Sequence, residues 1–258
     1  MHPEFIQTKY FTINTLWIFF AAALIVGTYV FVKLTVRNGL KIQFISEHSW
    51  GIILWSIVGA RVLSLILNYK TYFYEFSFEA LIKVLYIWDK GLSPTGALVA
   101  FVLFLIYICK KNEQDFWKWI DVLTPSILIG LSIGYIGTFF EGINYGKPTS
   151  LPWGVNFESS QIKYTIPIHP TQIYAFLYTL AIAITLILIS KKKAGFIGLI
   201  GIASFSFINF LEQFLRGDDT LLLFGIRVPQ VIMLILSITS GIFLYFHYNK
   251  PTKTNKSK

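Results

Sequence analysis

Seven long apolar runs limit what this chain can fold into. They lie at about 12–32, 51–68, 94–109, 118–139, 169–190, 196–215 and 226–247. Crossing a bilayer takes about 20 apolar residues as a helix. No water reaches the bilayer core, so each run must satisfy its own backbone groups, and helices are predicted. The run at 94–109 is short and the run at 118–139 is rich in glycine. Only 14% of the residues are charged, against about 25% in soluble domains, which leaves no stretch for a soluble globular part. The expectation is an all-α integral membrane protein of about seven transmembrane helices. It forms a single multi-pass domain over 1–249 with a basic tail at 250–258. No internal repeat is visible, and no pair of matched halves suggests a transporter. The first run is as long as a full span, whereas a cleaved signal has an apolar core of about 7–15 residues. It reads as a retained first helix.

The net charge of +9 is a topology signal. The loops after the first, third and fifth runs hold Lys33, Arg37 and Lys41, then Lys110, Lys111 and Lys118, then Lys191, Lys192 and Lys193. The tail adds Lys250, Lys253, Lys256 and Lys258. The opposite side spreads Lys9, Lys70, Lys83, Lys90, Lys147, Lys163, Arg216 and Arg227 over much longer segments. Positive charge in short loops marks the cytoplasmic side. This predicts an outside N-terminus, a cytoplasmic C-terminus and outer loops at about 69–93, 140–168 and 216–225. It also argues against a nucleic-acid partner and points to contact with membrane lipid.

On that topology the unusual polar residues gather toward one face. Ser93 and Thr95 open the third helix, and Glu141 and Asn144 follow the fourth. His169, Thr171, Gln172 and Tyr174 open the fifth. Arg216, Asp218 and Asp219 close the sixth, and Arg227 opens the seventh. Arg61 lies inside the second helix. The stretch Gly134–Tyr174 contributes most of them, and its Gly, Pro, Asn and Thr content contrasts with the apolar runs around it. Its glycines suit close helix packing and turns. One outer-leaflet site is predicted.

An arginine within a span costs at least about 2.5–3.5 kcal/mol on insertion scales, and is usually paired or functional. Arg61 therefore reads either as a phosphate fork or as half of an ion pair with Glu212 or Glu141. Arg216 and Arg227 read as phosphate contacts or as interfacial side chains that snorkel. His169 stands before Pro170, which suits a helix start. It reads as a general base or as a hydrogen-bonded interfacial residue. His2, His48 and His247 give no ligand spacing with it, so no metal is expected. Cys109, the lone cysteine, reads as a buried inert thiol. No nucleophile elbow, P-loop or dinucleotide fingerprint is present. Trp50, Trp88, Trp117, Trp119 and Trp153 fall near span ends and read as an interfacial belt.

The run GYIGTFFEGINYGKPTSLPWGVNF, followed by HPTQIY, resembles the bacterial prolipoprotein diacylglyceryl transferases. So do GAR at Arg61, GLSPTGA at Ser93, FLRGDD at Arg216 and VPQ at Gln230. The resemblance implies transfer of diacylglyceryl from phosphatidylglycerol to the lipobox cysteine of a prolipoprotein signal peptide. That reaction runs at the plasma membrane without a cofactor. It implies that Arg61 and Arg216 take the lipid phosphate, with Ser93, Asn144, Gln172 and Arg227 lining the substrate. It implies that His169 acts as base or orienter, with Tyr174, and that Glu141 stands in for an acid the pattern carries elsewhere. Several polar positions differ from the family pattern. Thr95 stands for a His, Tyr135 for an Arg, Thr138 for an Asn, and Ile143 and Ala175 for acids. Asn209 and Gln213 stand for an Arg and a Glu. Two activities follow: a divergent transferase, or a catalytically impaired relative that binds lipid or lipoprotein.

Overall fold

The computed structural model describes residues 4–7, 12–69, 91–157, 162–189 and 193–249. In chain order the elements are β1 (Glu4–Gln7), β2 (Thr12–Asn14), α1 (Thr15–Arg37), α2 (Ile42–Glu47), α3 (Ser49–Leu67), α4 (Pro94–Lys111), α5 (Phe116–Glu141), α6 (Thr171–Leu188), α7 (Phe196–Glu212), β3 (Leu222–Leu223), β4 (Ile226–Arg227) and α8 (Val228–Asn249). Each predicted apolar run is a helix. Six are long and apolar enough to span a bilayer, and α7 is apolar but shorter, at 17 residues. The protein is an all-α multi-pass membrane protein.

Two run boundaries moved for local reasons. The first run starts at Thr15 because Thr12–Asn14 pairs antiparallel with Glu4–Gln7. The sixth ends at Glu212 because the backbone tightens to i→i−3 bonds, Phe214 to Leu211 and Leu215 to Glu212. That tightening turns the chain out of the helix before Arg216.

The chain divides into two compact units, residues 39–116 and the remainder. In the smaller unit α3 and α4 cross at glycine. A Cβ on Gly59 would meet Ala100 Cβ at 2.2 Å, and one on Gly96 would meet Gly59 O at 2.3 Å. Small residues let the backbones of two apolar helices touch, which is how helices associate in lipid. Cys109 is buried on α4, as its position suggested.

In the larger unit α5 packs against α1 and α7 at glycines. Gly137 receives Phe19 and Leu16 of α1, and Gly198 and Gly201 of α7 lie against Ile120 and Thr124. Among the described residues nothing lies within 4 Å of where a Cβ on Gly134 would stand, so the close-packing expectation does not hold there. Asp121 on α5 accepts from Gly195 N and Gly198 N, each at 2.7 Å. It thereby satisfies donors that the start of α7 leaves open. Trp119 is fully buried and belongs to the core, not to an interfacial belt. Its 3.6-residue spacing from the buried Val122 and Ser126 faces it inward. Trp50 and Trp153 are exposed as expected, and Trp88 lies outside the described residues.

Candidate active site

At one end of the larger unit, a short irregular sheet fastens the loop after α5 to the flanks of α6 and α7. Gly146 N donates to His169 O at 3.1 Å, and His169 N donates to Lys147 O at 3.0 Å. On the other side, Lys147 N donates to Leu215 O at 2.7 Å, and Gly217 N donates to Tyr145 O at 2.9 Å. Gly146 thus pairs with Arg216 on one side and with His169 on the other. Strands sit about 4.8 Å apart, so the backbones of His169 and Arg216 lie about 10 Å apart across one strand. Gly146 has to be glycine. A Cβ there would meet His169 O at 2.4 Å and His169 Cβ at 2.6 Å.

The turn that delivers this strand is held by the first turn of α6. Gly142 has φ +77° and Asn144 φ +62°, the left-handed region that Gly and Asn enter most readily. Thr171 Oγ1 donates to Asn144 O at 2.7 Å, and Gln172 Nε2 donates to Ile143 O at 2.7 Å. Thr171 and Gln172 are fully buried. The PTQ segment therefore opens a helix and ties down the preceding loop.

Arg216 is the centre of the site, and it is buried. Its Nε donates to Asp218 Oδ1 at 2.9 Å, Nη1 to Glu212 Oε1 at 3.1 Å, and Nη2 to Asn144 Oδ1 at 2.7 Å. A guanidinium carries five N–H donors. Among the described residues these three bonds leave one N–H on Nη1 and one on Nη2. Burial alone would favour the neutral form, but the Asp218 and Glu212 carboxylates outweigh it and hold the guanidinium's pKa above its ordinary value. Arg216 stays charged.

Arg227 shares the same carboxylate. Its Nη2 donates to Asp218 Oδ1 at 3.0 Å, its Nη1 to Asp218 O at 2.8 Å, and its Nε to Gln213 Oε1 at 3.0 Å. One oxygen of Asp218 therefore joins two guanidiniums. The neighbouring Asp219 pairs instead with exposed Lys163. The bridging acid is Asp218, two residues from Arg216, and only the folded loop distinguishes the two neighbours. Glu212 is spent within this unit, on Arg216 and on Tyr178, whose hydroxyl donates to Oε2 at 2.7 Å. Asn209 donates to Tyr178 OH at 2.9 Å, and Gln213 Nε2 to Asn209 Oδ1 at 3.4 Å. The two positions read as lost charges are thus amides bonded to each other. Tyr135 lies near enough to Glu212 and Arg216 to sense both charges.

His169 and Tyr174 form a second cluster beside the sheet. His169 Nδ1 is 3.3 Å from Tyr174 OH, and Trp153 Nε1 donates to the same oxygen at 2.8 Å. An indole only donates, so the Tyr174 oxygen accepts from Trp153. Trp153 was read as a belt residue, and nothing in its spacing announced this contact 21 positions away. Glu141 ends α5 with its Oε2 buried and lacking a hydrogen-bond partner among the described residues.

Arg61 and Ser93 lie together in the smaller unit. Arg61 is buried, and its Nη1 donates to Gly91 O at 3.2 Å. Ser93 N donates to Ala60 O at 3.0 Å, while Ser93 Oγ caps α4 by accepting from Gly96 N at 3.3 Å.

A family model described as "Prolipoprotein diacylglyceryl transferase" matches residues 3–246. A phosphatidylglycerol–prolipoprotein diacylglyceryl transferase of Prochlorococcus marinus strain MIT 9215 is 30% identical, covering 94% of this chain and 91% of its own length. One from strain MIT 9312 is 31% identical over the same shares. One from Finegoldia magna is 30% identical, over 93% of this chain and 94% of its own. With nearly the whole of its length matched, this chain belongs to the prolipoprotein diacylglyceryl transferase family.

Proposed function

We propose that this protein transfers the diacylglyceryl group of phosphatidylglycerol to the lipobox cysteine thiol of a prolipoprotein, at the outer face of a bacterial plasma membrane. Besides the family, the observation that carries the reading is the Arg216 guanidinium. Three partners orient it, it stays charged, and among the described residues two of its N–H groups are left for a ligand. A lipid phosphate presents matching acceptors. The cluster of Arg216, Arg227, Glu212 and Asp218 is formally neutral, so recognition rests on aimed donors more than on net charge.

The chemistry needs a thiolate, a held phosphate and a stabilised leaving group. The cysteine thiol gives up its proton, and the sulfur attacks the glyceryl carbon next to the phosphate ester. The S–C bond forms as the C–O bond breaks, and the electron pair leaves with glycerol phosphate. Donors on the phosphate stabilise the charge that builds on the departing oxygen. The thiolate is the nucleophile. His169, steadied by Tyr174, takes the thiol proton or orients the thiol, and Glu141 offers a second acceptor. The family resemblance also assigns a phosphate contact to Arg61, beside Ser93 in the smaller unit, and within the larger unit Gln172 and Asn144 fix the loop. The distribution of Lys and Arg supports an outside N-terminus, which turns this end of the larger unit toward the outer leaflet and the incoming signal peptide.

The test is direct. The purified protein is incubated with phosphatidylglycerol and a lipobox peptide, and the peptide is weighed for the added diacylglyceryl mass. The expected product is a thioether that survives mild base. Absence of product beside an active family member would sink the reading; retained phosphatidylglycerol binding would then assign lipid binding without turnover.

A further inference from the structure

The contacts around Arg216 close on themselves. Arg227 Nε donates to Gln213, Gln213 Nε2 to Asn209, Asn209 Nδ2 to Tyr178 OH, and Tyr178 OH to Glu212 Oε2. Arg216 donates to Glu212 Oε1 and to Asp218 Oδ1, and Arg227 donates back to Asp218 Oδ1. Seven side chains thus form one ring, with both arginines as sources and both carboxylates as sinks. The neutral arc, Gln213–Asn209–Tyr178, runs in one direction only. Asn209 donates into the Tyr178 oxygen, so the single phenolic proton is directed to Glu212. Each neutral link polarises the next, as hydrogen-bond chains in a low dielectric do.

We propose that Tyr178 is a positioning residue for the phosphate-binding arginine: its hydroxyl, held by Asn209, fixes Glu212 so that Glu212 Oε1 sets the angle of the Arg216 guanidinium. Glu212 has two oxygens and, among the described residues, two hydrogen-bond partners. Tyr178 occupies one oxygen, so only the other is left for Arg216. Without the hydroxyl the carboxylate rotates, and Arg216 can take both oxygens and turn its remaining N–H groups away. Glu212 and Gln213 are buried, so water does not readily replace the missing donor. The inference rests on Arg216 contacting lipid phosphate, as proposed above.

The experiment uses Tyr178→Phe in the full chain, alone and combined with Glu212→Gln. Three quantities are read: phosphatidylglycerol binding in nanodiscs, kcat and KM of transfer, and the rate at which phenylglyoxal modifies Arg216. The expected result is a tenfold or greater loss in kcat/KM and weaker phosphatidylglycerol binding. Arg216 modification should change at least threefold, with the melting temperature within a few degrees of the parent. In the Glu212→Gln background, Tyr178→Phe should add less than twofold. A full additive loss in that background, or unchanged binding and modification, overturns the proposal. Gln213→Leu cuts the arc two links away and should give a smaller change in the same direction; if Tyr178→Phe does not fold, an unchanged Gln213→Leu protein overturns it instead. Lipid binding that weakens in Tyr178→Phe while the parent shows no transfer upholds the proposal and sinks the transferase reading. A parent that binds no phosphatidylglycerol sinks both.

Discussion

Arg216 and Asn144 stand 72 positions apart in the chain, and the guanidinium of the first donates to the side-chain carbonyl of the second at 2.7 Å. Asn144 holds φ +62° and accepts Thr171 at its backbone oxygen. It thus serves as both a turn residue and an orienter of the arginine. Substitution separates the two roles. Asn144→Gly keeps the left-handed backbone and loses only the contact, whereas Asn144→Ala also meets a conformational cost of about 1–2 kcal/mol. Thermal unfolding in detergent should rank parent above Asn144→Gly above Asn144→Ala, with both variants losing phosphatidylglycerol affinity. Equal stability of the two variants would refute the turn role.

Arg216→Lys tests the fork itself. A lysine ammonium is a point donor and cannot serve three partners in a plane. Removing one partner of a buried ion pair costs about 3–5 kcal/mol, and a retained but misplaced charge should cost somewhat less. The variant should fold with lowered stability and transfer at least tenfold more slowly. Full activity with lysine would show that charge alone matters at this position.

How far the sequence foretold this site differs residue by residue. Apolar run lengths located the seven long apolar helices, because length and hydropathy are what the bilayer selects, but not the short α2. Loop position pointed Arg216, Asn144 and Arg227 toward one region, and in the structure Arg216 bonds Asn144 and shares Asp218 with Arg227. The sequence did not show that Asp218, and not Asp219, bridges the arginines. Two adjacent acids look alike until the turn at Gly217 aims one inward. It also gave Trp153 and Trp119 the same reading. One is exposed and bonds Tyr174, the other is fully buried, and only packing separates them. Tyr178 went unremarked, since one tyrosine in an apolar helix carries no signal until Glu212 and Asn209 stand beside it.

Gly146→Ala should damage the site without touching a reactive group. The new Cβ would lie 2.4 Å from His169 O, so the strand must move from one neighbour. Overpacking of this kind costs about 1–3 kcal/mol. Transfer should fall more than stability does, since His169 and Arg216 take their positions from that strand. A variant with parent-like kcat/KM would show that the strand does not set the site.

Lys163 and Asp219 tie two exposed loop segments together. The hydrogen bond that Lys163 donates to the Asp219 carboxylate raises the Lys163 pKa. A raised pKa means the pair contributes fully below the ordinary lysine value, and the contribution fades as pH rises through the raised one. Lys163→Met should therefore lower the melting temperature slightly at neutral pH and not at strongly alkaline pH. High salt should also abolish the difference, because exposed pairs are screened. Hydrogen exchange of residues 162–166 is the sharper measurement, with faster exchange expected in the variant.

The Tyr174 hydroxyl separates two roles for His169. Trp153 donates into that oxygen, which leaves the phenolic proton free to face His169 Nδ1. If the proton goes to Nδ1, the imidazole carries its own proton on Nε2 and acts as a donor toward the thiol or the phosphate. If Nδ1 donates instead, Nε2 is the base. Tyr174→Phe removes the acceptor that the second arrangement needs and the donor that the first needs. As base, His169 should lose most of its effect in Tyr174→Phe, with kcat falling about 10²-fold, the scale of general-base catalysis. As donor, His169 should be replaceable by Gln with kcat within tenfold of the parent. Trp153→Phe should reproduce a part of the Tyr174→Phe loss, since it frees the hydroxyl to rotate. Parent-like kcat in both Tyr174→Phe and His169→Gln would remove this pair from the mechanism and leave the thiol proton to Glu141.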